Sequence, residues 1–188
     1  MTKELLIKID GLKDRIDKHR PIDRHFLGQI KEYFRIGLIY SSNALHRLFY
    51  YRIDSKQAGK YRKQKVIITG TDFIPPGPEQ IPELMSAFAD RIPDHRRKYH
   101  PVEFSALLHK ELVTIHPFID GNGRAARLLM NLAFLQDGYP IVIIPPVLKR
   151  DYLNALDRTH RGDDKPFLKF IAGVCYESAK EYLRLLDS

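Results

Sequence analysis

From Phe104 to Phe134 apolar residues recur every three or four positions, broken by one polar interruption, HPFIDGNG at 116–123. Before it, Phe104, Leu107, Leu108, Leu112 and Ile115 mark one face of a helix; after it, Ala126, Leu129, Met130, Ala133 and Phe134 mark another. The chain there reads helix, short turn, helix, and any fold it adopts has to bury both faces.

The interruption carries more chemistry than a turn requires. A helix that starts near Gly123 leaves unpaired N–H groups and the positive end of its dipole at the turn, and Gly121 and Gly123 let a phosphate approach the backbone closely. Arg124 and Arg127, three apart, project from one face and offer planar donors to phosphate oxygens. Asn122 adds a side-chain donor. Mg²⁺ commonly uses one carboxylate together with substrate phosphates, a role open to Asp120. His116, at the start of the turn, has the pKa range to take a proton from an attacking hydroxyl. Singly, each has a plain structural reading as a cap, a packed ring, a turn or a solvated charge; their conjunction points to a phosphate-handling site.

The rest of the chain reads as mainly helical. Leu5, Leu6, Ile9, Leu12 and Ile16 give an amphipathic helix over 3–19 that Pro21 ends. A second pattern runs over about 23–43, with Phe26, Ile30, Phe34, Ile36 and Leu38 as core candidates, and a third over about 44–53. Residues 56–80 turn basic, then β-favouring at VIIT, then proline-rich, which predicts a short hairpin or flap. Helical spacing resumes over about 82–89, and DHRRKYHP at 94–101 reads as a basic loop. Residues 139–146 read as a buried connection, followed by helices over about 149–160 and 165–186.

The 188 residues, 44% hydrophobic and 29% charged, suit one domain with its own core. The longest apolar runs, such as YPIVIIPPVL, fall short of the roughly 20 residues of a membrane span. The start, MTKELLIKIDGLKDR, lacks the apolar core and cleavage site of an export signal. With Cys175 as the single cysteine there is no intramolecular disulfide, and a metal site has to be built from His and carboxylates. A cytoplasmic protein is expected. The net charge of +8 suits a polyphosphate ligand, an acidic protein or nucleic acid, and alone does not choose among them. Zinc chemistry from His100, His109 and His116 fails on geometry, since residues seven apart on one helix lie roughly 10 Å apart along its axis.

The stretch from His116 to Arg127, HPFIDGNGRAAR, resembles the signature of the Fic family, HPFx(D/E)GNGRxxR, at every defined position. The similarity extends over roughly 40–185, through His109 and LV-x-IHPF, the RLLMNLAFLQDGYP that follows, and Arg150, Tyr152, Ala155 and Leu156. It implies a Fic-type helical fold and transfer of AMP from ATP onto a Ser, Thr or Tyr hydroxyl of a target protein, with self-modification possible. It implies His116 as general base, Asp120 as Mg²⁺ ligand, Gly121, Asn122 and Gly123 as anion hole, Arg124 and Arg127 on the triphosphate, and Tyr152 near adenine. Relatives of the Doc toxins that transfer the γ-phosphate carry Lys where this chain has Gly123, so glycine favours AMP transfer. The 61–75 flap matches in position a family hairpin that holds the target segment by strand addition.

The chain departs from the family upstream. Residues 1–43 read as N-terminal helices ending in YSSNAL at 40–45, which resembles the start of the inhibitory segment (S/T)xxxE(G/N); residues 44–188 read as the catalytic core. His46 stands where the inhibitory glutamate is expected, and HRLFYYRID resembles a segment that relatives place several dozen residues further on. Either the chain is shortened near 44–46 or His46 replaces the glutamate; both leave Arg127 unrestrained. Alternatives are Fic-type transfer of another phosphate-containing group, such as UMP, GMP or phosphocholine, and a non-catalytic nucleic-acid-binding regulator, for which the chain carries basic clusters at 56–65 and 96–98 but no known binding signature.

Overall fold

The computed structural model describes residues 3–18 and 38–187. Seven α-helices are found among these residues: α1 (Lys3–Lys18), α2 (Leu38–Tyr50), α3 (Ile81–Lys98), α4 (Pro101–Ile115), α5 (Asn122–Gln136), α6 (Lys149–His160) and α7 (Lys165–Leu186), with single 3₁₀ turns before α3 and α6. The architecture is mainly α, as expected. The predicted helix over 23–43 lies outside the described residues for all but its last turns.

The centre is α4, which packs on α5, α3, α6 and α7. Pro101 at its first turn and the His100 side chain, which accepts the Val102 N–H, start it. Its middle is buried all round, from Phe104 through His109, as a helix enclosed by others must be. Against it lies α5 with Ala125, Ala126, Leu129, Met130, Ala133 and Phe134, all buried, and its three alanines let the backbones approach closely. Helix α1 rests on α7 through Ile9 and Ile16, and Asp10 ties it to the core by accepting bonds from Tyr139 and His100.

Four expectations change. Helix α3 runs on through 94–98, which was expected as a loop, because each basic residue there finds a partner. Arg91 and His95 meet Glu111, Arg96 bonds Gln136 and Asp137, and Arg97 meets Asp94. Cations in a last turn also suit the helix dipole. Helix α2 is continuous across 43–44, where two separate helices were predicted. The connection 139–146 is buried only at Tyr139, Pro140 and Val142, with Ile141 and Ile143 exposed.

The fourth concerns the flap. No strand forms among the described residues, so the predicted hairpin is an irregular loop over 60–77 with a turn at Thr69 and Gly70. Pro75, Pro76 and Pro78 lack the N–H donors a ladder needs. The two legs are joined instead by the buried Arg62, whose guanidinium donates to the carbonyls of Gln64 and Pro76.

Candidate active site

The turn between α4 and α5 is built by three residues. His116 ends α4 in the left-handed region at φ 53°, the only non-glycine with positive φ among the described residues. That conformation costs roughly 1–2 kcal/mol for an L-residue and turns the chain sharply off the helix. Asn122, 2% exposed, then closes the loop on itself: its Oδ1 accepts the Phe118 N–H at 2.9 Å and its Nδ2 donates to the Phe118 carbonyl at 2.8 Å. Gly121 supplies φ 79° at the start of α5. A Cβ there would lie 3.0 Å from the Phe49 ring and 3.2 Å from His46, so the position excludes a side chain on two grounds.

His116 is held at its backbone and at its ring. Its carbonyl accepts from Arg62 Nε at 2.8 Å, and its Nδ1 lies 3.2 Å from the Val113 carbonyl. A carbonyl only accepts, so Nδ1 carries the hydrogen and the neutral ring presents Nε2 as the free acceptor. Burial lowers the His116 pKa, against the Val113 bond, so the ring is neutral at physiological pH.

His116, Gly123, Arg127 and Tyr152 line one cavity of about 510 Å³ between the flap and α6. The start of α5 opens on it, and first-turn N–H groups there have no intrahelical acceptor. A Cβ on Gly123 would sit 3.4 Å from Arg127 Nη1, an ordinary contact with the end of that side chain. The flap tip closes the far side: Thr71 donates to Asp157 at 2.8 Å, and the Phe73 ring stacks on His160 at 3.6 Å between centroids.

The structure adds detail to two expectations. The Asn122 side chain is buried and shapes the loop, its Oδ1 accepting the Phe118 N–H and one of its two amide N–H groups donating to the Phe118 carbonyl. Of the two arginines only Arg127 lines that cavity, while both line a second cleft of about 420 Å³ with Phe49 and Leu128. Arg124 stands outside the first, paired with the exposed Asp120 at 3.1 Å and lying over the Phe49 and Tyr50 rings. Tyr152 lines the 510 Å³ cavity and is buried, with its hydroxyl 3.3 Å from His109 Nε2.

Reasoning from the sequence missed Arg62 and the role of His46. His46 is fully buried beneath the turn, stacked on Phe118 at 3.9 Å between centroids. Its Nδ1 accepts the Gly59 N–H at 2.9 Å, so its Nε2 carries the hydrogen and donates to the Asp120 carbonyl, also at 2.9 Å. No acidic side chain pairs with Arg127 among the described residues. His46 therefore occupies a core position below the loop.

The fold and the turn define a class: helical proteins with an anion-receptive loop between two buried helices and a neutral histidine at its entrance. Residues 41–134 match the Fic/DOC family. The protein adenylyltransferase Fic of Drosophila willistoni is 41% identical over 140 residues, 74% of this chain and 28% of that protein. Its counterpart in Drosophila melanogaster gives the same identity and coverage. Among solved structures, Fic-1 (residues 134–508) from C. elegans superposes with a TM-score of 0.73 at 30% identity, covering 87% of this chain and 48% of that one. The chain belongs to the Fic/DOC family. It spans less than a third of the length of the curated relatives it matches.

Proposed function

We propose that the protein is an adenylyltransferase that moves AMP from ATP to a Ser, Thr or Tyr hydroxyl of a target protein, itself included, with 44–188 as the catalytic core. The observation that carries this is a neutral histidine with a free Nε2, beside an arginine and a glycine-opened helix start, in a cavity large enough for a nucleotide.

The target hydroxyl oxygen attacks the α-phosphorus of ATP while its proton passes to His116 Nε2; the bond to the β-phosphate oxygen breaks and pyrophosphate leaves. Arg127 and the N–H groups at the start of α5 meet the growing charge, in a site where burial strengthens each interaction. Arg124 reaches the outer phosphates only by releasing Asp120, which frees that carboxylate. Asp120 fits a Mg²⁺ site: it is a single accessible carboxylate whose backbone is fixed by His46, and its present partner is a cation. Bound there, Mg²⁺ would neutralise phosphate charge. The 61–75 loop would hold the target segment, now as an irregular arm rather than a ladder edge, and the cytoplasm is the proposed setting. Among the described residues no helix is long and apolar enough to cross a membrane.

Incubation of the protein with Mg²⁺ and each of ATP, GTP, UTP and CTP, read by mass spectrometry, tests this. A mass gain of one AMP, with ATP preferred, is expected; gain from another nucleotide alone sinks the adenine assignment.

A further inference from the structure

Arg127 carries the phosphate contact of the proposed site, yet no acid holds it among the described residues. A guanidinium left to itself samples several rotamers, and fixing it at the moment of binding costs affinity. Tyr152 lines the same cavity as Arg127 and is the phenol placed to fix it. Burial raises the pKa of this phenol, and the charge of Arg127 and a hydrogen bond from it oppose that rise.

Arg127 can only donate, so toward it the Tyr152 oxygen has to accept. The single phenol proton is then available for another group. His109 Nε2 stands 3.3 Å away, its ring edge-on to Tyr152 with centroids 5.7 Å apart and tilted against Phe167 on the other side. The ring is fully buried on α4 and its Nδ1 has no protein partner, a cost of roughly 1–3 kcal/mol that packing alone does not call for. Burial pushes its pKa down to about 3, so at neutral pH it is uncharged and Nε2 can accept.

We propose that His109 is a positioning residue for the nucleotide site: by accepting the Tyr152 proton it turns the phenol lone pairs toward Arg127 and holds the guanidinium over the cavity. The order is Arg127 to Tyr152 to His109, each donating to the next. The inference rests on the nucleotide reading above.

The test is calorimetric titration of an ATP analogue with a non-transferable α,β bridge, in Mg²⁺, into the wild type and into His109→Leu, Tyr152→Phe, Arg127→Ala and the His109→Leu, Arg127→Ala double variant. His109→Leu and Tyr152→Phe are expected to weaken binding by about fivefold to tenfold each. His109→Leu should keep or raise Tm, since it removes an unpartnered buried nitrogen. In the Arg127→Ala background it should weaken binding no further, and His109→Gln, which retains an acceptor, should recover part of the loss. Equal losses in both backgrounds, or unchanged affinity, would overturn the proposal. If His109→Leu does not fold, Tyr152→Phe and its own cycle with Arg127→Ala decide by the same criterion. A wild type that binds no analogue removes the nucleotide reading and this inference together. Binding that Arg127→Ala weakens and His109 changes leave alone removes this inference only.

Discussion

His46 is where the account is most exposed, because the sequence offered two readings of it. In the structure it stacks on Phe118 and bridges Gly59 to the Asp120 carbonyl, so His46→Ala removes a buried ring and two hydrogen bonds. Truncating a buried aromatic costs about 3–5 kcal/mol. An imidazole is smaller than those rings, and water can recover the bond at the Asp120 carbonyl, which places the expected loss near 3 kcal/mol. For a chain of this length that is a fall in Tm of roughly 6–12 °C. The loop that carries Asp120 would also lose its support, and a misplacement of about 1 Å in such a site costs on the order of 10²-fold in rate. The discriminating variant is His46→Glu. A carboxylate cannot donate to the Asp120 carbonyl, so it would be a buried, unpaired charge facing an acceptor, and the protein should lose stability at least as severely as His46→Ala. Were His46 the position of an inhibitory glutamate, the same variant would keep its Tm and lose nucleotide binding. Thermal unfolding beside nucleotide titration separates the two, and a fully stable, silenced His46→Glu protein would refute the reasoning.

Gly121→Ala should cost roughly 2–4 kcal/mol, from a left-handed φ and a close approach to Phe49, and Phe49→Leu should relieve the steric part; an additive double variant in denaturant titration would count against the assigned packing. Because burial lowers the His116 pKa and the neutral ring is the proposed base, activity should rise with pH through a value below 6.5 and then level off. A pH–rate profile whose rising limb lies above 6.5 would contradict that environment.

The helix–turn–helix from 101 to 136 was legible because its signals are local: apolar spacing, two glycines and an asparagine all act within a few residues. Helices α6 and α7 were legible for the same reason. What could not be read depends on contacts far apart in the chain. Arg62 reaches the His116 carbonyl across 54 residues and His46 reaches Asp120 across 74, and nothing nearby distinguishes that arginine from its solvated neighbours in YRKQK. The extension of α3 depends on Glu111 and Asp137, which are likewise remote. Asn122 and Arg124 show a different limit. Residue type told that each could meet an anion, while only packing shows that Phe118 and Asp120 already engage them.

The central claim is that His116 Nε2 takes the proton in a transfer of AMP. Intact-mass spectrometry of the protein with candidate targets, after incubation with ATP and Mg²⁺, tests it beside His116→Ala. The account predicts that one AMP is added by the wild type and none by a folded His116→Ala protein. The same mass gain in both would contradict it.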